Sequence, residues 1–181
     1  SDQKLLLVLV LIYSVIIPLI CVALLRFSGL IKSFEMKDKF DRIAPLIVCL
    51  IFYLWLWYNL KQNLNVPKFM LGMVLSSIIS MSIAFALNNW IKISLHTLSI
   101  SVFLVFWIIF RLQENDHLYL RLNRYNDSPI HLHLIIGLSV LTAGWIGTSR
   151  LILSAHTKQE VNAAYISGVL AGIIGLMISG R

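Results

Sequence analysis

The sequence predicts an all-α, polytopic membrane protein with six transmembrane helices. Of its 181 residues, 59% are hydrophobic and only 13% are charged, with a mean hydropathy of +0.85. A soluble domain carries nearer a quarter charged residues, so lipid is the expected solvent. The apolar residues are also gathered into blocks that match the roughly 20 helical residues needed to cross a bilayer. A single soluble core has no need of that arrangement.

The blocks fall at about 5–25, 44–60, 69–90, 95–112, 132–153 and 157–179, within one six-span domain covering 1–181. The first lacks a small-x-small cleavage site and reads as a span, not a removable leader. After it comes a mixed-charge stretch, Arg26 to Arg42, carrying Phe27, Leu30, Ile31, Phe34, Met36 and Phe40. That stretch suits either an interfacial amphipathic helix or a plain polar loop. Trp55, Trp57 and Tyr58 close the second block as an aromatic belt. The connection near Trp90 to Ser94 is very short, whereas Gln113 to Ile130 is long and polar. Gly168, Gly172 and Gly175 put a small-residue stripe on the sixth block, as close helix packing requires.

Six spans put both ends on one side, so the connections after spans one, three and five share the opposite face. Charge bias does not choose the orientation. Arg26, Lys32, Lys37, Lys39 and Arg42 on one face offset Lys61, Lys68, Arg111, Arg121 and Arg124 on the other. The net charge of +7 forms no basic stripe with interleaved aromatics, which argues for contact with lipid headgroups and against nucleic acid. Cys21 and Cys49 both lie inside apolar blocks, so no disulfide framework or zinc site is expected.

Ionisable side chains near membrane helices are costly, and one group of them is concentrated where spans five and six meet. Ser149-Arg150 is followed after five residues by His156, and after three more by Glu160. His156 and Glu160 are one helical turn apart, so the carboxylate can hold one imidazole nitrogen and leave the other to attack. Arg150 can grip phosphate oxygens in a bidentate manner, and a helix N-terminus favours an anion. A second cluster, Lys92, Ser94, His96 and Thr97, stands at the junction of spans three and four, on the same face. Blander roles exist for each: Lys92 can snorkel, Ser94 can cap a helix, and Glu160 can answer the helix dipole. His131 and His133, at the far end of span five, read as interfacial.

The segment from Ser149 to Glu160 resembles the third signature of the type-2 phosphatidic acid phosphatase superfamily, Ser-Arg-x5-His-x3-Asp, with Glu in place of Asp. Ile93-Ser94-Leu95-His96 resembles a degenerate second signature, Pro-Ser-Gly-His. The resemblance implies a metal-independent lipid phosphatase with no cofactor. In it His156 is the nucleophile, Glu160 orients it, and His96 is the general acid. Arg150, Lys92 and Ser94 hold the phosphate. It further implies a cell-membrane protein with cytoplasmic termini and the site on the extracytoplasmic face. The substrate would be phosphatidic acid, phosphatidylglycerol phosphate, a prenyl diphosphate or a lipid A-type phosphate. The first signature, Lys-x6-Arg-Pro, is absent as written. Lys61 and Lys68 have the spacing but fall on the wrong face. Lys92 stands where the signature lysine is expected, and the arginine has no counterpart. Two alternatives stand beside this reading: a catalytically silent relative that binds or moves a lipid phosphate, and a b-type haem protein ligated by His96 and His156. The oligomeric state is not encoded in any of these features.

Overall fold

The computed structural model of the chain describes residues 2–34, 36, 38–63, 66–113, 119–120 and 130–180. Among them six helices are long and apolar enough to cross a membrane: Leu6–Phe27, Phe40–Lys61, Lys68–Leu87, Leu95–Leu112, Leu132–Ile152 and Lys158–Ser179. The protein is all-α and polytopic, and each expected block corresponds to one span. The second begins earlier than the hydropathy pattern suggests, because a 3-10 turn, Phe40–Arg42, leads into it. One scrap of extended pairing joins Tyr119–Leu120 to Ile130–His131, antiparallel. The rest of that polar connection, with Arg121 and Arg124, lies outside the described residues, as does Lys37.

Pro18 shapes the first span. A proline inside a helix cannot donate to the carbonyl four residues back and crowds it as well. The helix answers with a π-helical stretch, Ile12–Ile16, just before the proline. The carbonyl deprived of its usual donor is that of Ser14, and the Tyr53 hydroxyl of the second span donates to it at 3.3 Å. In lipid, where no water can substitute, such a bond also fixes how the two spans sit together.

Spans three, four and six form the packed centre, with the sixth lying along both of the others. Span two packs on span three, span one on span two, and span five on span four. The glycine stripe explains the close approach at the centre. A Cβ on Gly168 would meet the Leu98 carbonyl and the Ser101 Cβ at 2.6 Å. A Cβ on Gly175 would stand 2.5 Å from the Ser76 amide nitrogen. The backbones are near enough for the Ser76 hydroxyl to donate to its own Gly72 carbonyl at 2.7 Å and to Gly172 of span six at 3.2 Å. Trp55 and Tyr58 face outward on span two, and the Lys61 ammonium lies 4.9 Å from the centre of the Trp57 ring.

The stretch between spans one and two is a loop. Its described residues run through turns, with Gly29 at φ 79° and Met36 at φ 46°, and hold no α-helix before the 3-10 turn. Phe27, Leu30, Phe34 and Phe40 are exposed, whereas Ile31 is fully buried. Polar clasps fix the loop to the junction of spans three and four. The Lys39 ammonium donates to the Asn89 carbonyl and the Asn88 side-chain amide donates back to the Lys39 carbonyl, both at 2.8 Å. Those bonds use up the regularity that an amphipathic helix would have needed.

Gly175→Ala is expected to destabilise the protein by about 1–3 kcal/mol, because the methyl group meets backbone that cannot move aside. Thermal unfolding in detergent checks this, with Gly144→Ala, a helical glycine whose Cβ meets nothing within 4 Å, as the reference for the substitution without a clash.

Candidate functional site

The junction of spans five and six is built by ending one helix and starting the next with almost no chain between. Ser154 adopts φ 51°, the left-handed conformation that closes many helices. The Ala155 amide donates to the Arg150 carbonyl at 3.1 Å and the Ser154 amide to the Leu151 carbonyl at 3.0 Å. That pair of bonds is a Schellman closure, made here without glycine. Thr157 then opens span six. The Glu160 amide donates to its hydroxyl at 3.3 Å, and its own amide donates to the Glu160 carboxylate at 2.9 Å. This reciprocal pair is a capping box.

The spacing of Arg150, His156 and Glu160 follows directly from those two caps. Arg150 occupies the last turn of span five, His156 the single residue before the cap, and Glu160 the first turn of span six. The His156 Nδ1 lies 3.1 Å from Glu160 Oε2 and 2.9 Å from the Lys92 carbonyl oxygen. Both neighbours are acceptors, so Nδ1 carries the proton and Nε2 keeps its lone pair. The histidine and glutamate side chains are 6% and 18% exposed. Burial pushes the His156 pKa below its ordinary value, and Arg42 adds to that; the hydrogen bond and charge of Glu160 and the Lys92 carbonyl push the other way. Burial prevails, and the imidazole is held neutral.

The three same-side connections meet here. Lys92 sends its ammonium to the Ala155 carbonyl at 3.5 Å while its own carbonyl takes the His156 proton. His96, in the first turn of span four, is exposed and lies within electrostatic reach of Arg150, His156 and Arg42. Arg150 has a buried Nε with no hydrogen-bond partner among the described residues. An unpaired, buried N–H on a guanidinium is costly, and an oxyanion is the natural group to meet it. Ser94 is fully buried, its hydroxyl accepting from Thr97 Oγ1 at 2.9 Å and its carbonyl accepting from the Leu98 amide at 2.9 Å. It supports the rim from beneath. His133 is exposed at the other end of span five, away from this cluster.

Beneath His96 an apolar groove of about 570 Å³ runs into the membrane between spans two, three, four and five. Met73, Met81, Leu95, Ile100, Phe103 and Ile146 line it, and His96 stands in its wall. That size is ordinary for a small-ligand pocket. Among the described residues no three His, Cys, Asp or Glu side chains converge as a metal set.

Sequence reasoning placed Lys92, Ser94, His96, Arg150, His156 and Glu160 on one face; the structure gathers them there, but the Ser94 hydroxyl is fully buried and bonded to Thr97, not open to a phosphate. It missed Thr157, although Thr-x-x-Glu at a helix start was a legible capping signal. It also left Arg42 among the flanking charges. Comparison of the chain with family models, with curated proteins and with solved structures finds no match.

Ser154→Gly is expected to stabilise the protein by about 0.5–1 kcal/mol, since glycine adopts the left-handed conformation at no steric cost. A shift of the thermal midpoint in detergent measures it. An unchanged or lowered midpoint shows that the serine is held there by more than the turn.

Proposed function

We propose that this protein is a metal-independent lipid phosphatase of the type-2 phosphatidic acid phosphatase kind. It removes phosphate from a membrane-embedded phosphate ester or diphosphate. The observation that carries the reading is the state of His156: Nδ1 is tied to a carbonyl and a carboxylate, and Nε2 is left as a neutral nucleophile. Arg42 and Lys92 bring positive charge near it, and a groove suited to an apolar chain opens beside His96.

In the proposed reaction His156 Nε2 attacks phosphorus as the bond to the lipid oxygen breaks. Glu160 and the Lys92 carbonyl stabilise the charge that develops on the ring. His96 gives a proton to the departing oxygen, which leaves as the lipid alcohol from an ester or as the lipid monophosphate from a diphosphate. The same imidazole then takes a proton from water as that water attacks phosphorus. The phosphorus–nitrogen bond breaks, releasing inorganic phosphate and restoring His156. Arg150 and Lys92 neutralise charge on the oxygens that do not react. The lipid enters sideways, its chain in the groove and its phosphate at headgroup depth. We place the site on the extracytoplasmic face of the cell membrane, with phosphatidic acid, phosphatidylglycerol phosphate, prenyl diphosphates and lipid A-type phosphates as candidate substrates.

The test is phosphate release by purified protein from a panel of those lipids in the presence of EDTA. His156→Ala is expected to abolish release, whereas His96→Ala should lose far more activity on lipids than on an activated aryl phosphate, whose leaving group needs no proton. Release by His156→Ala at the wild-type rate would refute the assignment. Lipid-phosphate binding without release would make the protein a silent binder.

The acid limb of kcat/KM offers a second check. Wild-type activity should persist below the ordinary histidine pKa of about 6.5 and fall only as His156 becomes protonated. Glu160→Gln removes the influence that raises that pKa, so the limb should move to still lower pH as the rate drops. A limb that moves upward would separate Glu160 from His156.

A further inference from the structure

A phosphate presents several charged oxygens, and those not facing the nucleophile must be met by donors. Two of the three connections that gather on this face each bring a cation, Lys92 and Arg150. The third brings one as well. Arg42, at the foot of span two, is only 7% exposed, in a chain that has little reason to bury a charge. Among the described residues no carboxylate forms an ion pair with it.

The guanidinium is held by main chain. Its Nε donates to the Met36 carbonyl at 3.1 Å and Nη1 to the Ile93 carbonyl at 2.9 Å. No hydrogen bond from Nη2 occurs among the described residues. Ile93 directly follows Lys92, whose carbonyl holds His156. One short connecting stretch, turned at Lys92, therefore pins both the imidazole and the guanidinium. The charge of Arg42 acts on Glu160, on His156 and on His96, the three groups around which a phosphate would sit.

We propose that Arg42 supplies a second guanidinium to the phosphate site, reaching it from the 3-10 turn that opens span two. The inference rests on the lipid-phosphate reading above. Two backbone carbonyls fix the side chain in advance, so binding costs it little rotamer entropy. Arg150, on the neighbouring junction, keeps a buried Nε unpaired, so one oxyanion would answer both guanidinium groups. The same loop is also clasped to Asn88 and Asn89, by bonds that do not involve the guanidinium.

The experiment is a calorimetric titration of the purified full chain with inorganic phosphate, beside thermal unfolding without phosphate. Arg42→Gln is expected to weaken phosphate binding roughly 10- to 100-fold, the scale of one charge-assisted contact. Arg42→Lys, which keeps the charge and loses the planar fork, should fall between. Lys39→Gln cuts a clasp of the same loop but lies outside the site, and should bind phosphate as wild type does. Equal weakening by Lys39→Gln and Arg42→Gln would reduce Arg42 to a loop anchor and overturn the proposal. So would wild-type affinity in Arg42→Gln. If Arg42→Gln does not fold, Arg42→Lys decides: a several-fold loss of affinity supports the role and no loss refutes it. Wild-type protein that neither binds phosphate nor releases it from lipids would sink the phosphatase reading as well. Wild-type release with unchanged binding in both Arg42 variants would sink this inference alone.

Discussion

The hydrogen bond from the His156 imidazole to the Lys92 carbonyl, 2.9 Å long, joins two helix junctions that are more than sixty residues apart in the chain. Without it the caps at the start of span six would still form, because they are local. The turn after span three would still form too. What would be lost is their common position. The same proton faces Glu160 at 3.1 Å, so a single N–H links a backbone carbonyl from one junction to a carboxylate from the other. The neutral tautomer, the open Nε2 and the nearness of His96 all depend on that arrangement.

Lipid makes such a bond more decisive than it would be in water. Unsatisfied polar groups near hydrocarbon are expensive, so the loops on this face satisfy one another. Asn88, Asn89, Ile93 and Ala155 each give or receive a hydrogen bond from another connection. Below them the bundle is held by close approach more than by large side chains. Gly168 and Gly175 let span six lie against spans four and three, and Pro18 hands the Ser14 carbonyl to Tyr53. The result is a hydrogen-bonded rim over a packed centre, with an apolar groove beside it. Under the proposed function, the phosphate and the apolar chain of a lipid would meet those two environments side by side.

The cations at the rim differ in how they are held. Arg42 is tied by two carbonyls, Lys92 reaches the Ala155 carbonyl, and Arg150 keeps a buried Nε unpaired. Positive charge placed in advance, in surroundings of low dielectric, acts strongly on any oxyanion that arrives. It also helps to keep His156 neutral, which a nucleophilic role requires. Under the proposed chemistry, the cations therefore act on both partners of the reaction.

The sequence by itself determined the solvent, the number of spans and the spacing of Arg150, His156 and Glu160. Each of those is local: hydropathy accumulates along a stretch of about 20 residues, and the spacing is that of one helix end followed by one helix start. The loop between the first two spans was legible only as a choice between two forms, since its pattern of aromatics suited a helix and its charges suited a loop. Tertiary structure chose the loop and tied the Arg42 guanidinium to the Ile93 carbonyl, next to Lys92. It also selected the Lys92 carbonyl as the partner of His156 and assigned Ser94 to the buried rim. The physical reason is common to all of these. Their partners are backbone carbonyls and packed neighbours distant in the chain, and a carbonyl is the same at every position, so no residue type announces which one will be used.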